Sequence, residues 1–251
     1  MCKYMRMDQT KPAPIRNRIT ELLNIPYPIV QAPMGYIARS ALASAVSNAG
    51  ALGIIETSSG DLVAVRKEIA MMKDLTPHPF GVNIAQLFVR DESIADFVVE
   101  QGVRVVTTSA GDPTKYTKQL KSAGLKVFHV VPTLAAALKA QDAGVDGLVV
   151  EGGEGGGFKN PKDVSTMVLL PLVCEHVEIP VIAAGGITDG KSMAAAFALG
   201  ADYWQRRRHG GHAWAMREAV ATLLLALGGA VREERGWRAD RNWAPGGRWR
   251  A

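Results

Sequence analysis

A chain of 251 residues, 47% of them apolar and 21% charged, has the length and composition of one large α/β domain with a substantial core. No run approaches the ~18–20 apolar residues that a membrane-spanning helix needs, and the polar first 17 residues lack the apolar segment of a secretory leader, so a cytoplasmic protein is expected. The formal charge of +5 belongs to residues 203–251, with 10 Arg, no Lys and 4 acids; residues 1–202, with 12 Lys, 7 Arg and 20 acids, give no reason to expect nucleic-acid binding.

In chain order, residues 1–17 read as an N-terminal extension and residues 18–228 as the domain. Apolar runs at 28–33, 52–56, 80–85, 103–108, 126–131, 147–151 and 180–184 predict strands. Helical spacing between them predicts helices over 40–49, 61–72, 91–101, 113–122, 134–143, 167–176 and 191–199. The strands are continuous rather than alternating, the pattern of a parallel sheet buried on both faces. Residues 201–205 stand where an eighth strand begins, and residues 215–227 keep helical spacing for an eighth helix. Eight strand–helix units predict a TIM (β/α)8 barrel with an atypical C-terminal region, a doubly wound open sheet being the alternative. Residues 229–251, rich in Arg, Trp and Gly without periodicity, read as a poorly ordered tail. All five tryptophans follow position 202, and this change of character near Ala201 is what a shifted reading frame or an unrelated fused end would produce. An Arg/Trp tail contacting RNA by stacking and charge is the other reading.

The stretch 148–158, Leu-Val-Val-Glu-Gly-Gly-Glu-Gly-Gly-Gly-Phe, runs an apolar strand into a loop of five glycines and two carboxylates. In a barrel, ligands lie at such C-terminal strand ends. The other ends read Gln31-Ala-Pro-Met34, Asn83, Thr108-Ser-Ala-Gly111, His129 to Thr133 and Ala184-Gly-Gly186. The set holds no nucleophile–base pair and no metal cluster, and Cys2 and Cys174 have no metal-ligand spacing. Backbone donors and small residues suit a flat, phosphate-bearing cofactor better than hydrolysis. Gly185-Gly186 ahead of the helix at Asp189 is a candidate phosphate site, because free amides at a helix start attract anions.

Pro28-Ile-Val-Gln-Ala-Pro-Met34, Ser47-Asn-Ala-Gly50, Pro79-Phe-Gly-Val-Asn83, Ala143-Gly-Val-Asp146, the Glu151 loop and Ile179-Pro-Val-Ile-Ala-Ala-Gly-Gly186 occur in one order and spacing. Over about residues 18–202 this set resembles the nitronate monooxygenase family, formerly called 2-nitropropane dioxygenases. The resemblance implies a barrel that binds FMN non-covalently and oxidises alkyl nitronates, small-molecule substrates, with O2. It implies that Ala32, Pro33 and Met34 lie against the isoalloxazine and that Asn83 hydrogen-bonds the ring. Glu151 would lie near the ribityl chain, with Gly156 a backbone contact, and Ala184, Gly185 and Gly186 would form half of the phosphate site. Oligomeric state is left open.

Two positions depart from the family pattern. The family's catalytic histidine at the end of the glycine-rich loop is Phe158 here, which cannot abstract a proton. A nitronate is already deprotonated, so a flavin pocket without that base is expected still to oxidise it, only less well. His129 is the other histidine at a strand end, read first as a packed residue and second as a replacement base. At the eighth strand the family's Gly-Val-Gln-Met-Gly-Thr-Arg is replaced by Tyr203-Trp-Gln-Arg-Arg-Arg-His209, which keeps Gln205 in register as a cofactor contact but loses the Gly-Thr amides. An FMN-dependent enoyl-acyl-carrier-protein reductase and a non-catalytic barrel with an impaired flavin site are the competing readings.

Overall fold

The computed structural model describes residues 14–156 and 164–206. The first element is one the periodicity does not predict, a six-residue helix α1 (Arg18–Leu23). It is too short for periodicity to register and is set by its caps. The Asn17 carboxamide accepts from the amides of Ile19 and Thr20, Thr20 Oγ1 accepts from Asn17 N, and Asn24 closes the end in a left-handed conformation.

Strands and helices then alternate: β1 (Ile29–Gln31), α2 (Ser40–Asn48), β2 (Gly53–Glu56), α3 (Leu62–Leu75), β3 (Phe80–Ala85) and α4 (Ile94–Glu100). They continue with β4 (Val105–Ser109), α5 (Thr114–Ser122), β5 (Lys126–Val131), α6 (Leu134–Asp142), β6 (Gly147–Glu151), α7 (Thr166–Cys174), β7 (Val181–Ala184), α8 (Gly190–Ala198) and β8 (Tyr203–Arg206). The predicted eight parallel strands all form. The differences lie at the ends. The helix α3 runs on to Leu75, because Thr76 and Pro77 stop it rather than Met72. Val103 packs into the core ahead of its strand instead of pairing within it. The 215–227 helix and the 229–251 tail lie outside the described residues.

Hydrogen-bonded neighbours run β1-β8-β7-β6-β5-β4-β3-β2, all parallel. The two ends of this ladder meet, because Val30 bridges Leu52 in parallel, with Gln31 N donating to Leu52 O (2.9 Å) and Leu52 N to Ile29 O (2.9 Å). The sheet is therefore a closed barrel and not an open doubly wound sheet. Beyond those two bonds the seam is finished by a side chain. Gln31 Oε1 accepts from Ile54 N (3.2 Å), and Gln31 Nε2 donates to Ile54 O (3.1 Å) and to Ala32 O (2.6 Å). Its carboxamide thus takes the place of a peptide unit that the three-residue strand β1 does not supply.

Strand alternation sorts the core into two layers. Val30, Ile54, Val105, Phe128, Val149 and Ile182 fill the barrel, and Ile19, Leu23 and Ile25 from α1 and its exit join them as a plug. Ile55, Val82, Val106, Val127, Leu148, Val150 and Val181 face outward to the helices. The plug helix is tied to the segments leading into β7 and β8 by Arg18, whose Nε and Nη2 clasp both Asp202 oxygens (2.8 and 2.7 Å) while Nη1 donates to Glu178 O (2.8 Å). Asp202 also accepts from Val181 N, so one carboxylate orders the starts of β7 and β8.

Replacing Gln31 by leucine keeps the volume and leaves the N–H and C=O of Ile54 unpaired in the core. At about 1–3 kcal/mol for each stranded polar group, Gln31→Leu should destabilise the fold by about 2–5 kcal/mol. Urea unfolding of the full chain checks this, and a loss under about 0.5 kcal/mol would mean that the seam does not depend on the carboxamide.

Candidate active site at the barrel mouth

The alternation that places Ile54, Val105, Val149 and Ile182 inside turns Glu56, Thr107, Glu151 and Ala184 inward one layer higher, at the C-terminal mouth. Asn83 joins them two residues beyond Gly81, whose side-chain position faces Ile54. Ala32 and Met34 are buried at the end of β1, with Pro33 half-buried between them. The structure therefore brings Ala32, Pro33, Met34, Asn83, Glu151, Gly156, Ala184, Gly185 and Gly186 to one end of the barrel. The backbone register of Ala184 with Gln205 adds the eighth strand there.

Asn83 is buried, and its orientation is fixed from two sides. Its Oδ1 accepts from Thr107 Oγ1 (2.9 Å), and its backbone carbonyl accepts from Thr57 Oγ1 (2.7 Å). The amide nitrogen is left with one long contact to Ser109 Oγ (3.4 Å), so it retains donor capacity for a ligand.

The glycine-rich loop is pinned to its surroundings. Gly152 N donates to Ala184 O (3.1 Å) and Gly153 N to Val164 O (2.8 Å). The Glu154 carboxylate accepts both the amide and the hydroxyl of Thr166 (2.8 Å each), which ties the loop to the first residue of α7. A Cβ on Gly155 would be driven into the Glu151 carboxylate, so the glycine there serves close packing over Glu151. Phe158 lies outside the described residues.

At the end of β7, Gly185 and Gly186 adopt φ of 102° and 71°, a turn that residues with a Cβ rarely adopt. The start of α8 is partly occupied by its own cap. Asp189 Oδ1 accepts from Ser192 N (2.8 Å), and Ser192 Oγ accepts from the amides of Thr188 and Asp189 (3.0 Å each). The Gly185–Gly186 turn, just ahead of this partly occupied helix start, remains the candidate phosphate cradle. These residues fit the phosphate end of a flavin mononucleotide: the turn has no side chains and runs beside the pinned glycine loop.

Sequence reasoning passed over Glu56. It is a carboxylate at 1% exposure, closing a strand that is otherwise wholly apolar. Its Oε1 meets Arg39 Nη2 (3.2 Å) and accepts from Tyr36 N (3.1 Å). Its Oε2 accepts from the amide (2.7 Å) and hydroxyl (2.5 Å) of Ser58. The available signal was the acid itself, since a charge ending a buried strand is retained only with partners. Beside it, Ser59 Oγ is buried without a hydrogen-bond partner among the described residues.

His129 points the other way from these residues. It follows the inward Phe128 in the strand and so faces the outer layer, where it is 3% exposed and its Nδ1 lies 2.7 Å from Thr108 Oγ1. As a replacement base it lacks access to the mouth.

The fold and mouth define a (β/α)8-barrel protein whose ligand site is built from strand ends, two glycine turns and few charges. A family profile described as nitronate monooxygenase matches residues 16–98 and 85–205, and the chain belongs to that family. It is 37% identical over 187 residues to (3aS,4S,5R,7aS)-5-hydroxy-7a-methyl-1-oxo-octahydro-1H-indene-4-carboxyl-CoA dehydrogenase of Rhodococcus jostii, covering 74% of this chain and 52% of that protein. It is 30% identical to a probable nitronate monooxygenase of Staphylococcus aureus, covering 74% of this chain and 65% of the other. Among solved structures, FabK from Thermotoga maritima superposes with a TM-score of 0.74 at 44% identity, covering 76% of this chain and 61% of that one. The chain thus spans about half the length of the first of these curated relatives. Among the described residues no helix is long and apolar enough to cross a membrane, and no group of three or more His, Cys, Asp or Glu could hold a metal ion.

Burial lowers the His129 pKa from 6.5 to about 4, against the raising effects of its hydrogen bond with the Gly111 backbone and of the nearby Asp112 charge. Between these two values the unfolded chain binds a proton that the folded chain does not. The stability tied to the neutral ring is therefore complete above about pH 6.5 and is lost as pH falls towards 4. A shift of that size corresponds to about 3 kcal/mol. His129→Gln should flatten the pH 4–6.5 limb of the stability curve relative to wild type, and parallel curves would refute the assignment.

Proposed function

We propose that this barrel binds FMN and works as the flavin half of an oxidoreductase. The carrying observation is the mouth itself, in which buried small residues at the end of β1, the amide of Asn83 and the glycine turns after β6 and β7 come together. In this reading Ala32, Pro33 and Met34 pack against the ring system and Asn83 Nδ2 donates to its edge. Glu151 and Gly156 border the ribityl chain. Ala184, Gly185 and Gly186, with the backbone at Gln205, hold the phosphate. When bound, FMN would supply a two-electron acceptor that O2 can reoxidise. The protein's part is to exclude water, orient the ring and present the substrate carbon to it.

Family membership supports an alkyl nitronate as the substrate, with O2 as oxidant. That chemistry starts from an anion, so it tolerates Phe158 where the family has a histidine. A second reading, a coenzyme A thioester substrate, is favoured by the 37% identity to the Rhodococcus jostii CoA dehydrogenase. The two separate in one assay: oxygen uptake with a nitronate, against flavin bleaching by an acyl-CoA without oxygen.

The full chain mixed with FMN and freed of excess by gel filtration should retain flavin absorption bands, and their absence would overturn both readings in favour of a non-catalytic barrel. Gly185→Ala forces a Cβ onto a residue at φ 102°. Strain of roughly 1–3 kcal/mol there should weaken FMN binding about tenfold or more, measured by quenching of flavin fluorescence.

A further inference from the structure

Tyr36 combines two features that a surface tyrosine rarely shows together. Its backbone is left-handed, at φ 61°, and the residue is 78% exposed at the mouth. A non-glycine residue in that region persists only where neighbours hold it. The holder is Glu56. Its amide donates to Ala38 O (3.1 Å), its carboxylate takes the Tyr36 amide, and the same carboxylate anchors Arg39. Residues 36 to 39 are thus clamped to β2 at three points. Ser58, which gives its amide and hydroxyl to the same carboxylate, ties in the next loop.

The clamped segment directly continues Ala32–Met34, the strand end that enters the candidate site. The loops after β1, β2 and β3 abut in sequence around the rim: a Cβ on Gly35 would lie 3.2 Å from Ser58 Oγ, and one on Gly60 would lie 3.0 Å from Arg90 Cδ. On this arc of wall the exposed large apolar side chains are Tyr36, Ile37 at 50% and Leu87 at 64%, with the exposed Arg90 at its β3 end. The buried Glu56 carboxylate beneath them is paired with Arg39, so at Tyr36 and Ile37 the wall offers a ligand apolar surface, with Arg90 as the charge at its edge.

We propose that Glu56 is a positioning residue that holds Tyr36 as the substrate-facing wall of the mouth, and that this wall takes an apolar body carried by the substrate. The inference rests on the flavin-oxidoreductase reading for what the substrate is, and adds that its non-reacting part is apolar and extended. A small polar substrate would leave the wall bare. An alkyl or acyl chain of several carbons would cover it, each buried methylene adding to affinity.

The test is calorimetric binding to the FMN-treated full chain of two ligand pairs, the anions of nitropropane and nitrooctane, and acetyl-CoA and octanoyl-CoA. In the pair whose head group the mouth accepts, the longer member should bind at least about tenfold more tightly. Tyr36→Gly, which suits the left-handed backbone and removes the ring, should cut that preference to below about twofold, while Tyr36→Phe keeps it. Glu56→Gln retains the side-chain volume but loses the charge that holds Arg39. It should lower the preference about threefold in the wild-type background and have no further effect in Tyr36→Gly, the signature of one residue acting through another. Thermal melts confirm that each variant is folded. Absence of a chain-length preference in both pairs, or its survival in Tyr36→Gly, overturns the apolar wall. An equal effect of Glu56→Gln in both backgrounds, or no effect in either, overturns the positioning role. The titrations are made without oxygen so that no catalytic cycle completes, and missing flavin bands in the wild type would count against the functional reading and leave this result standing on its own.

Discussion

The structure depends on closing a sheet whose first strand is three residues long. Seven of the eight strand junctions are ordinary parallel ladders, but β1 and β2 share only a single bridge, and two of their remaining polar groups are satisfied by the Gln31 carboxamide. A short β1 has a consequence for the mouth. The chain leaves the sheet early, so Ala32 to Arg39 form a long rim segment rather than more strand. That segment must be fastened to β2 by something other than the ladder, and Glu56 fastens it. The seam and the clamp are two answers to one deficit, the first inside the wall and the second at its top.

The fold was legible because its signal is redundant. Seven apolar runs and seven helical patterns at even spacing leave little else to build, and the eighth strand followed from position alone. What escaped were elements held by single side chains. The helix α1 has too few residues for periodicity and exists because Asn17 and Asn24 cap it and Arg18 ties it to Asp202. Periodicity cannot reveal a contact between residues 184 apart in the chain. At the mouth, the residues quoted from motifs came together as a group, since motifs mark strand ends and strand ends share one face. Glu56 belongs to no such motif and could be noticed only by asking how a buried carboxylate at the end of β2 is neutralised. The direction of His129 depends on strand register, which a run of Val-Phe-His-Val-Val leaves open until Phe128 is known to point inward.

The glycine-rich loop has a more specific meaning than backbone freedom. Glu154 grips Thr166, Gly155 lies against Glu151, and the loop start bonds to the end of β7. Part of the glycine content therefore serves to let carboxylates and backbone pack closely, which presets the loop before any ligand arrives. The capping box of α8 works in the same direction. It occupies the Ser192 amide and leaves the Gly185–Gly186 turn, at positive φ, as the candidate anion contact just ahead of the helix.

The mouth is thus divided by chemistry. From β6 to β8 it is backbone, glycine and a pinned loop with the Glu151 and Glu154 carboxylates, the candidate surface for a phosphate and a polar chain. From β1 to β3 it is a paired carboxylate under exposed tyrosine, isoleucine and leucine, with Arg90 at the edge, the proposed surface for carbon. A cofactor with a charged tail and a flat head would span the barrel between these arcs, its tail on the first and the face of its head turned to the second. That division explains why so few titratable groups are needed. In the proposed reading the polar arc would recognise through amides and the apolar arc through area, and the buried Glu56 carboxylate is engaged within the protein by Tyr36, Arg39 and Ser58.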